Sequence, residues 1–446
     1  MQHLSSGLAV STASPRLAGA IDAVTLELLR YGSDAAAFFL KREDDPDCAS
    51  ANAICAALHL FTMTRAGFDR AAPFLAAARR SRGGATEREQ MFVDAILAWA
   101  DEDYRAAVAA HREIARRWPE DLLSTKIGQF HQLNRGDFHG MLALVQDILP
   151  AHEGARFVHG MHAFALEQCG DAQGAEAEGR LACSLGFDPW AQHAVAHVLD
   201  STGRAAAGRA WLSAHAAGWD DCSSFLYTHN WWHLALFHLE LDEGEAALSL
   251  MDDHVWARRR DYCQDQINAI SLLARLELRG VDVGSRWGAI AAQLDGRTGD
   301  HVNGFLDLHY IYALARAGRD VDVAGFVRSL REKAQLTGGA WQNTMPPAAA
   351  GVVAHARGDY GSAAKLLRDA APGLAELGGS NTQRDLFELL FLDSLIGSHA
   401  LGQAERILLR RQSRRGSIAW QDRALAEIGG GRVPAMALHA PRSRAA

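Results

Sequence analysis

The sequence lacks the features that mark several large classes of protein. Its six cysteines are scattered and none forms a CxxC spacing, so neither a disulfide framework nor a cysteine-based zinc site is indicated. No apolar run reaches the roughly 18 residues that a membrane-spanning helix needs. The opening segment, MQHLSSGLAVSTASPRLAG, has no basic region followed by a long apolar stretch, as a signal peptide would. We therefore expect a cytoplasmic protein with reduced thiols.

Excess positive charge and several catalytic motifs are also missing. The formal net charge is −8, which does not favour binding to nucleic acid. The chain has no Walker loop, no GxGxxG after a predicted strand and no GxSxG. Nucleotide-dependent and classical serine-hydrolase chemistry therefore have no support. The composition that remains, 48% hydrophobic and 22% charged, is that of an ordinary globular protein.

A short turn signal recurs between helix-forming segments. It contains a glycine followed by Asp or Arg, as at Gly136, Gly170, Gly203 and Gly358. Gly136 to Gly170 is 34 residues and Gly170 to Gly203 is 33, which matches the helix–turn–helix tetratricopeptide unit. Strand patterns are absent. The sequence predicts an all-α solenoid of about nine or ten tetratricopeptide-like helical hairpins, strongly curved with a concave central pocket.

The same pattern divides the chain into three segments. Residues 1–20 are predicted to be an N-terminal extension and residues 21–429 the solenoid. Residues 430–446 have no periodicity and are predicted to be disordered. In such arrays the first helix of each pair lines the concave surface and the second packs outside it.

Two histidine pairs are the feature that points to chemistry. His193 and His197 lie in HAVAH, and His229 and His233 lie in HNWWH; corresponding members are 36 residues apart. Positions i and i+4 share one face of a helix. Both segments precede a turn signal and are therefore first helices, so the four imidazoles should face the same side. Other polar residues extend this row on neighbouring first helices: His159, Asp265, Asn268, His301, Asp307 and His309.

Three interpretations of the histidine row remain open: a metal site, a polar ligand pocket without metal, and structural packing. Neutral imidazole is the commonest protein ligand for zinc, iron, copper and nickel, and i, i+4 pairs suit metal coordination. The candidate metal ligands are His193, His197, His229, His233 and His309. HAVAH lacks the glutamate of HExxH, and no carboxylate sits beside either pair in the sequence. Buried histidines that bind no ligand would still need hydrogen-bond partners.

Other residues would complete a pocket. Trp190, Asn230 and Trp232 are candidate ligand contacts beside the pairs. GGSNTQRDLF contains a capping box, Ser380 followed by Gln383, that starts a helix. Arg384 and Asp385 are not explained by that box. They would form an ion pair, or Arg384 would bind an anionic group of the ligand.

The chain resembles the tetratricopeptide repeat protein 38 family, found in bacteria and animals, over nearly its whole length. The segments that carry the resemblance are TEREQMFVDAILAWA, PEDLLSTKIG, FALEQCGDAQGAEAEGRLA, DPWAQHAVAHVLDSTGR, THNWWHLALFHLELDEGEAAL, the segment from His301 to His309, and GGSNTQRDLF. The resemblance implies an all-helical repeat fold. It also puts motif positions at His193, His197, His229, Asn230, Trp232, His233, His301, Asp307, His309, Gln383, Arg384 and Asp385. It implies no particular reaction.

Two functions follow as hypotheses. In the first, the pocket binds a small polar or anionic molecule, through a divalent metal such as zinc or iron or without one. If it is catalytic, His193, His197, His229 and His233 supply the general base, and a metal would make hydrolysis or oxygen chemistry plausible. In the second, the protein is a non-catalytic scaffold that binds a peptide or partner protein in the groove. The sequence leaves a homodimer open.

Overall fold

A computed structural model of the protein describes residues 1–434, which are almost entirely helical. Most of the predicted disordered tail, residues 435–446, lies outside the described residues. The chain divides into two compact units. The first contains Met1–Val195 and Gly218–Leu226. The second contains Ala196–Ala217 and the described residues from Tyr227 onward, so the division falls within two helices.

The first unit begins with a short antiparallel ladder of two strands and continues with helices. The strands are β1 (Gln2–His3) and β2 (Ala9–Val10), paired Gln2 to Val10 and His3 to Ala9. No strand was predicted here, because strands of two residues are too short to leave an alternating pattern. The helices are α1 (Pro15–Arg30), α2 (Phe38–Lys41), α3 (Ala49–Leu60), α4 (Arg65–Ser81), α5 (Glu87–Ala100), α6 (Tyr104–Arg117), α7 (Leu122–Leu133), α8 (Phe138–Ile148), α9 (Arg156–Gln168) and α10 (Ala172–Leu185).

The division between the units falls within two further helices. The helices that remain after these two and α1–α10 belong to the second unit. The two are α11 (Pro189–Ser201) and α13 (Ser224–Glu240). The others are α12 (Ala205–His215), α14 (Gly244–Leu250), α15 (Cys263–Leu278), α16 (Arg286–Ala291), α17 (Gly304–Arg316), α18 (Asp320–Thr337), α19 (Gly339–Ala356), α20 (Tyr360–Ala370), α21 (Asn381–Gly397), α22 (Leu401–Arg415) and α23 (Ala419–Gly429).

Shorter helical segments lie between these. The 3₁₀ segments are Ala35–Ala37, Arg42–Asp44, Arg82–Gly84, Leu149–Ala151, Ala216–Gly218, Asp295–Arg297 and Ala371–Leu377, and Met251–Val255 is a π-helical turn after α14.

From Ala49 to Arg415 the described α-helices follow one another as ten consecutive pairs, α3–α4 through α21–α22. Within each unit the members of a pair pack together, as in α3–α4, α9–α10 and α19–α20. First helices also pack against the first helices of the next pair, as in α3–α5, α15–α17 and α17–α19. The predicted all-α solenoid of helical hairpins is confirmed.

First and second helices differ in how much of their surface is buried. In α9 every residue from Val158 to Gln168 is buried, whereas α10 buries only Ala175, Gly179 and Ala182. A second helix needs one apolar stripe, so its other face stays polar and hydrated. A first helix such as α9 has almost no solvent face, and a polar side chain on its buried part must find a buried partner. The histidine pairs lie on such helices.

The glycines of the recurring turn signal lie between helices in the left-handed conformation. Gly203, between α11 and α12, has φ +68°. A Cβ built at Gly203 would lie 1.7 Å from the carbonyl oxygen of Arg415 at the end of α22. Glycine is therefore required here for its conformation and for the close approach of the α22 backbone.

The last helices of the second unit return to its first ones. Arg415 of α22 pairs with Asp200 of α11 at 2.7 Å. Trp420 of α23 donates its indole N–H to Glu240 of α13 at 3.3 Å. Helix α15 also packs against α21. Within this unit α11, α13, α15 and α21 therefore approach one another, and this arrangement positions the site described next.

None of the described helices combines the length and apolar composition that crossing a membrane would require.

Candidate functional site

The two histidine pairs form one group, which we call the His cluster: His193, His197, His229 and His233. All four residues are buried. One ring atom from each lies within 4.8 Å of those of the other three. The ring centroids of His197 and His233 are 4.6 Å apart, and those of His229 and His233 are 4.8 Å apart. The helical i, i+4 spacing and the 36-residue repeat together produce this group, as the sequence indicated.

An asparagine on the next first helix orients His229. Nδ1 of His229 lies 3.0 Å from Oδ1 of Asn268 on α15. The amide of Asn268 donates to Oγ1 of Thr228 at 3.2 Å, and Thr228 donates to Asp265 at 3.0 Å. Since an amide oxygen only accepts, Nδ1 of His229 carries the proton and Nε2 carries the lone pair. This tautomer is the one in which Nε2 can act as a ligand or a base.

A second chain of polar contacts reaches His197. Nδ1 of His197 lies 3.3 Å from Oγ1 of Thr382 on α21, and Thr382 donates to Oδ2 of Asp200 at 3.2 Å. Asp200 is paired with Arg415. Asp200 follows His197 by three residues and therefore shares its helix face. No carboxylate was expected beside either pair. In the structure Asp200, one helical turn after His197, contacts it indirectly through Thr382.

Burial keeps two of the cluster's imidazoles neutral at physiological pH. It lowers the pKa of His229 to about 3, since the hydrogen bond to Asn268 only partly offsets the loss of hydration. Burial also holds the pKa of His233 well below its usual value, and the neighbouring imidazoles and Arg275 lower it further. Neutral imidazoles keep a lone pair, which metal coordination and base catalysis both require.

Aromatic rings flank the cluster on two helices. The ring of Trp190 stacks on that of His193, with centroids 4.4 Å apart at 28°. The ring of Trp232 stacks on that of His229 at 5.2 Å and 10°. The guanidinium of Arg275 lies 5.5 Å from the centroid of Trp232. The predicted contacts Trp190 and Trp232 therefore lie directly against the imidazoles.

Asn230 is completely buried, and the described part of the chain offers no hydrogen-bond partner to either polar atom of its side chain. An amide in this state loses hydration without compensation, which costs about 1–3 kcal/mol. A structural role does not account for this cost, so Asn230 remains a candidate ligand contact.

Three other predicted residues are engaged elsewhere. The ring nitrogens of His301 lie 3.0 Å from Oδ2 of Asp307 and 2.8 Å from Oγ of Ser329. Burial raises the pKa of Asp307 to about 6, although its contact with His301 opposes the shift. Nδ1 of His309 donates to the carbonyl of Phe305 at 2.8 Å, and burial lowers the pKa of His309 to about 4. The group of four that could hold a metal ion does not include these residues.

His159, at the other end of the predicted row, is also engaged. Its ring nitrogens lie 2.7 Å from Oε2 of Glu178 and 2.8 Å from the carbonyl of Glu153, both in the first unit. The row of polar residues on first helices therefore contains one compact group of four, with other members held by partners of their own.

The GGSNTQRDLF segment has mainly structural contacts. Ser380 and Gln383 form the predicted capping box at the start of α21. Arg384 donates to the carbonyl of Gly379, in the loop before α21, and to Asn381, the first residue of that helix. Asp385 pairs with Arg411; although burial opposes ionisation, this pairing holds the pKa of Asp385 well below its usual value. Thr382, which lies between Ser380 and Gln383, is the residue of this segment that contacts the His cluster.

Sequence reasoning missed three partners of the cluster: Thr382, Asp200 and Arg275. Arg275 donates to the carbonyl of Thr382 at 2.9 Å and so fixes the start of α21 beside His197. The spacing of Asp200 from His197 was visible in the sequence. The contacts of Thr382 and Arg275 depend on α15 meeting α21, more than 100 residues later, and no local pattern encodes that meeting.

Comparison with known proteins finds weakly similar structures but does not assign the chain to a family. No protein-family model matches the chain. The structure of Naa15/Naa10 bound to HypK-THB is matched over 92% of this chain and 65% of that one, at 13% identity and a TM-score of 0.25. The TPR domain of P58(IPK) is matched over 89% of this chain and 99% of that one, at 12% identity and a TM-score of 0.17. The chain thus spans under two thirds of the first of these proteins. Both TM-scores are low, and the helix pairs themselves define the fold.

Proposed function

We propose that the protein binds one transition-metal ion at the His cluster and presents it to a small polar or anionic ligand. The observation that carries this proposal is the approach of four buried imidazoles, one ring atom from each within 4.8 Å of the others. Four histidines that served only to fill space would bury polar rings where apolar side chains pack at lower cost.

The spacing is compatible with coordination. Zinc–nitrogen bonds of about 2.0–2.1 Å place neighbouring nitrogens of a tetrahedron about 3.4 Å apart and trans nitrogens of an octahedron about 4.2 Å apart. Small rotations of the rings would bring the cluster into this range. Contacts from Asn268 to His229 and from Thr382 to His197 are outer partners of the kind that orient metal-binding histidines.

The donor set favours particular metals. Four nitrogen ligands suit zinc, iron, copper and nickel, whereas magnesium and calcium prefer oxygen. Neutral imidazoles leave the charge of a divalent ion uncompensated, so the site would attract an anionic ligand. Zinc held by all four histidines has no open position. Iron accepts six ligands and would keep coordination positions open for substrate or water. Hydrolysis or a reaction with oxygen at this site would therefore require iron rather than zinc.

The resemblance of HAVAH and HNWWH to the tetratricopeptide repeat protein 38 family supports the choice of these residues, because the motif positions and the cluster coincide. Trp190, Trp232 and Asn230 would form the walls that contact the bound ligand. Arg384 and Asp385 have contacts of their own and do not belong to this proposal.

Metal content tests the proposal. We expect purified protein, after incubation with zinc or ferrous iron and gel filtration, to retain about one equivalent of metal by elemental analysis. His197→Ala and His233→Ala should each lose most of it, because a site with three remaining imidazoles binds weakly.

The matched control is His139→Ala, which removes an exposed histidine from α8. It should retain the metal content of the unmodified chain. If the unmodified chain binds no stoichiometric metal, or if the two cluster variants bind as much as His139→Ala, the proposal is wrong.

A further inference from the structure

The first unit contains a cavity that shares no residue with the His cluster. We call it the N-terminal cavity, and its lining includes Leu8, Ile54, Arg88 and Leu123. Its volume is about 460 Å³, which lies within the range of about 300–1,000 Å³ typical of small-molecule pockets. Its walls come from the segment before α1, from α1, α3 and α5, and from the start of α7. All of these elements belong to the same compact unit.

The interior of the N-terminal cavity is apolar. The buried side chains that line it include Leu8, Val10, Leu29, Ile54 and Phe92. Protein interiors normally contain few voids larger than a water molecule, so a space of this size between apolar side chains leaves dispersion contacts unmade. An apolar group that entered the cavity would make those contacts and would leave water. Both effects favour its binding.

Hydrogen bonds hold the segment before α1 in place as one wall of the cavity. The backbone N–H of Ser5, in the turn between β1 and β2, donates to Oδ2 of Asp22 on α1 at 2.8 Å. Nη2 of Arg88 on α5 donates to the carbonyl of Ala9 in β2 at 3.0 Å. The segment is therefore fixed to both helices, and the cavity has a defined wall on this side.

The charges along the cavity are unbalanced. Arg88 is the one cationic side chain among the described residues that line it, and its Nη1 donates to Asp121 at 2.6 Å. Asp22 and Glu120 also line the cavity, and neither forms an ion pair within residues 1–434. Asp22 is partly exposed and Glu120 is exposed, whereas the apolar interior is buried. Two carboxylates without a cationic partner therefore lie on the solvent side of an apolar space.

We propose that the N-terminal cavity binds a small amphipathic amine, a molecule with an alkyl or aryl body and a primary ammonium head. The body would fill the apolar interior, and the head would lie near Asp22 and Glu120. An anionic head would be repelled by the same carboxylates, and the guanidinium that could neutralise it already pairs with Asp121. This inference does not depend on a metal in the His cluster.

A cavity that reflects loose packing alone is the alternative. Such a space would admit any apolar molecule of suitable size, because nothing in it would distinguish one head group from another. The proposed site instead predicts that binding depends both on the length of the apolar body and on the charge of the head. Probes that vary one property at a time separate the two cases.

Isothermal titration calorimetry of the full chain at pH 7 is the test. Octylamine, 1-octanol and octanoate share the same alkyl chain and differ in the head. We expect about one equivalent of octylamine to bind, on the order of tenfold more tightly than octanol, with octanoate the weakest. From butylamine to hexylamine to octylamine the affinity should rise about fourfold for each added methylene, because each one enters the apolar interior.

The controls use the same readout. Asp22→Asn keeps an acceptor oxygen for Ser5 and removes a negative charge, and Glu120→Gln removes the other. Each should weaken octylamine binding about threefold or more while leaving octanol binding unchanged. Asp69→Asn is the matched control, because it removes an exposed carboxylate of α4 that does not line the cavity. It should bind octylamine as the unmodified chain does.

Several results would overturn the proposal. They are no binding of octylamine by the unmodified chain, equal affinity for the three probes, tightest binding of octanoate, and an affinity that does not change with chain length. An unchanged octylamine affinity in both Asp22→Asn and Glu120→Gln, or an equal loss in Asp69→Asn, would also overturn it.

Discussion

At the scale of single residues, the His cluster depends on side chains that set which nitrogen of each ring carries the proton. Asn268 does this for His229, because its amide oxygen at 3.0 Å can only accept. The repeat register placed Asn268 near this position from the sequence alone. The register could not specify that its partner would be Nδ1, since ring orientation follows from packing.

Replacing Asn268 tests that role. Asn268→Leu keeps the volume of the side chain but removes the acceptor, so His229 can turn or change tautomer. We expect zinc affinity, measured by competition with a chromophoric chelator, to fall about 10- to 100-fold while the content at saturating zinc stays near one equivalent.

Asn268→Asp is the matched variant, because it keeps an acceptor oxygen and adds negative charge. It should retain or raise the affinity. Equal affinities for the leucine variant and the unmodified chain would show that Asn268 does not orient a ligand.

At the scale of elements, the turns carry contacts that the helices alone do not reveal. Gly203 and Gly318 end α11 and α17 with similar φ angles, +68° and +74°. A Cβ at Gly203 meets the backbone of Arg415, whereas a Cβ at Gly318 meets nothing within 4 Å. Alanine substitutions at the two glycines therefore distinguish the cost of backbone strain, which both share, from the cost of displacing α22, which arises only at Gly203.

We expect Gly318→Ala to lower the free energy of unfolding by about 1–2 kcal/mol, the usual penalty of a left-handed alanine. Gly203→Ala should cost at least about 2 kcal/mol more, because α22 must move away from the turn. Urea unfolding followed by circular dichroism measures both. Equal losses would mean that the approach of α22 to this turn contributes nothing to stability.

Helix existence and pairing were largely predictable, because the 3.6-residue period and the glycine turns repeat. The β1–β2 ladder was not, since two-residue strands leave no pattern. Contacts of Thr382 and Arg415 were also hidden. They depend on α21 and α22 returning to α11 within the second unit, which reflects accumulated rotation between repeats and not any local spacing.

At the scale of the whole molecule, buried neutral histidines outside the His cluster make stability depend on pH. Burial lowers the pKa of His111 to about 3 and of His309 to about 4, and holds that of His131 well below its usual value. In the unfolded chain each titrates near 6.5. Below that pH the unfolded state binds more protons, so the free energy of unfolding falls as the solution becomes acid.

Two buried carboxyls act in the opposite direction. Burial raises the pKa of Asp188 and Asp307 to about 6, so the folded state binds protons first as pH falls from 7. Between pH 7 and 5 each histidine costs about 2 kcal/mol and each carboxyl returns about 1.5 kcal/mol. The three histidines therefore outweigh the two carboxyls.

In the metal-free protein His229 and His233 add to this cost, because burial also lowers their pKa. We therefore expect the metal-free protein to lose more than about 3 kcal/mol of stability between pH 7 and pH 5, with a falling midpoint in thermal unfolding. Chelator in the buffer removes any contribution from a metal. His309→Gln, which keeps a donor for the carbonyl of Phe305, should reduce the loss. A midpoint that is unchanged or higher at pH 5 would contradict the prediction.

The ion pairs that join α22 to α11 and to α21 affect which alignment of these helices the chain adopts when it folds. Neighbouring helices can slide by one turn, about 5.4 Å, and still bury similar apolar area. Asp200 with Arg415 and Asp385 with Arg411 disfavour this slide, because a shifted register would leave these largely shielded charges without their partners. These pairs select one alignment among near-equivalent ones, so they supply uniqueness to a repetitive chain more than they supply stability.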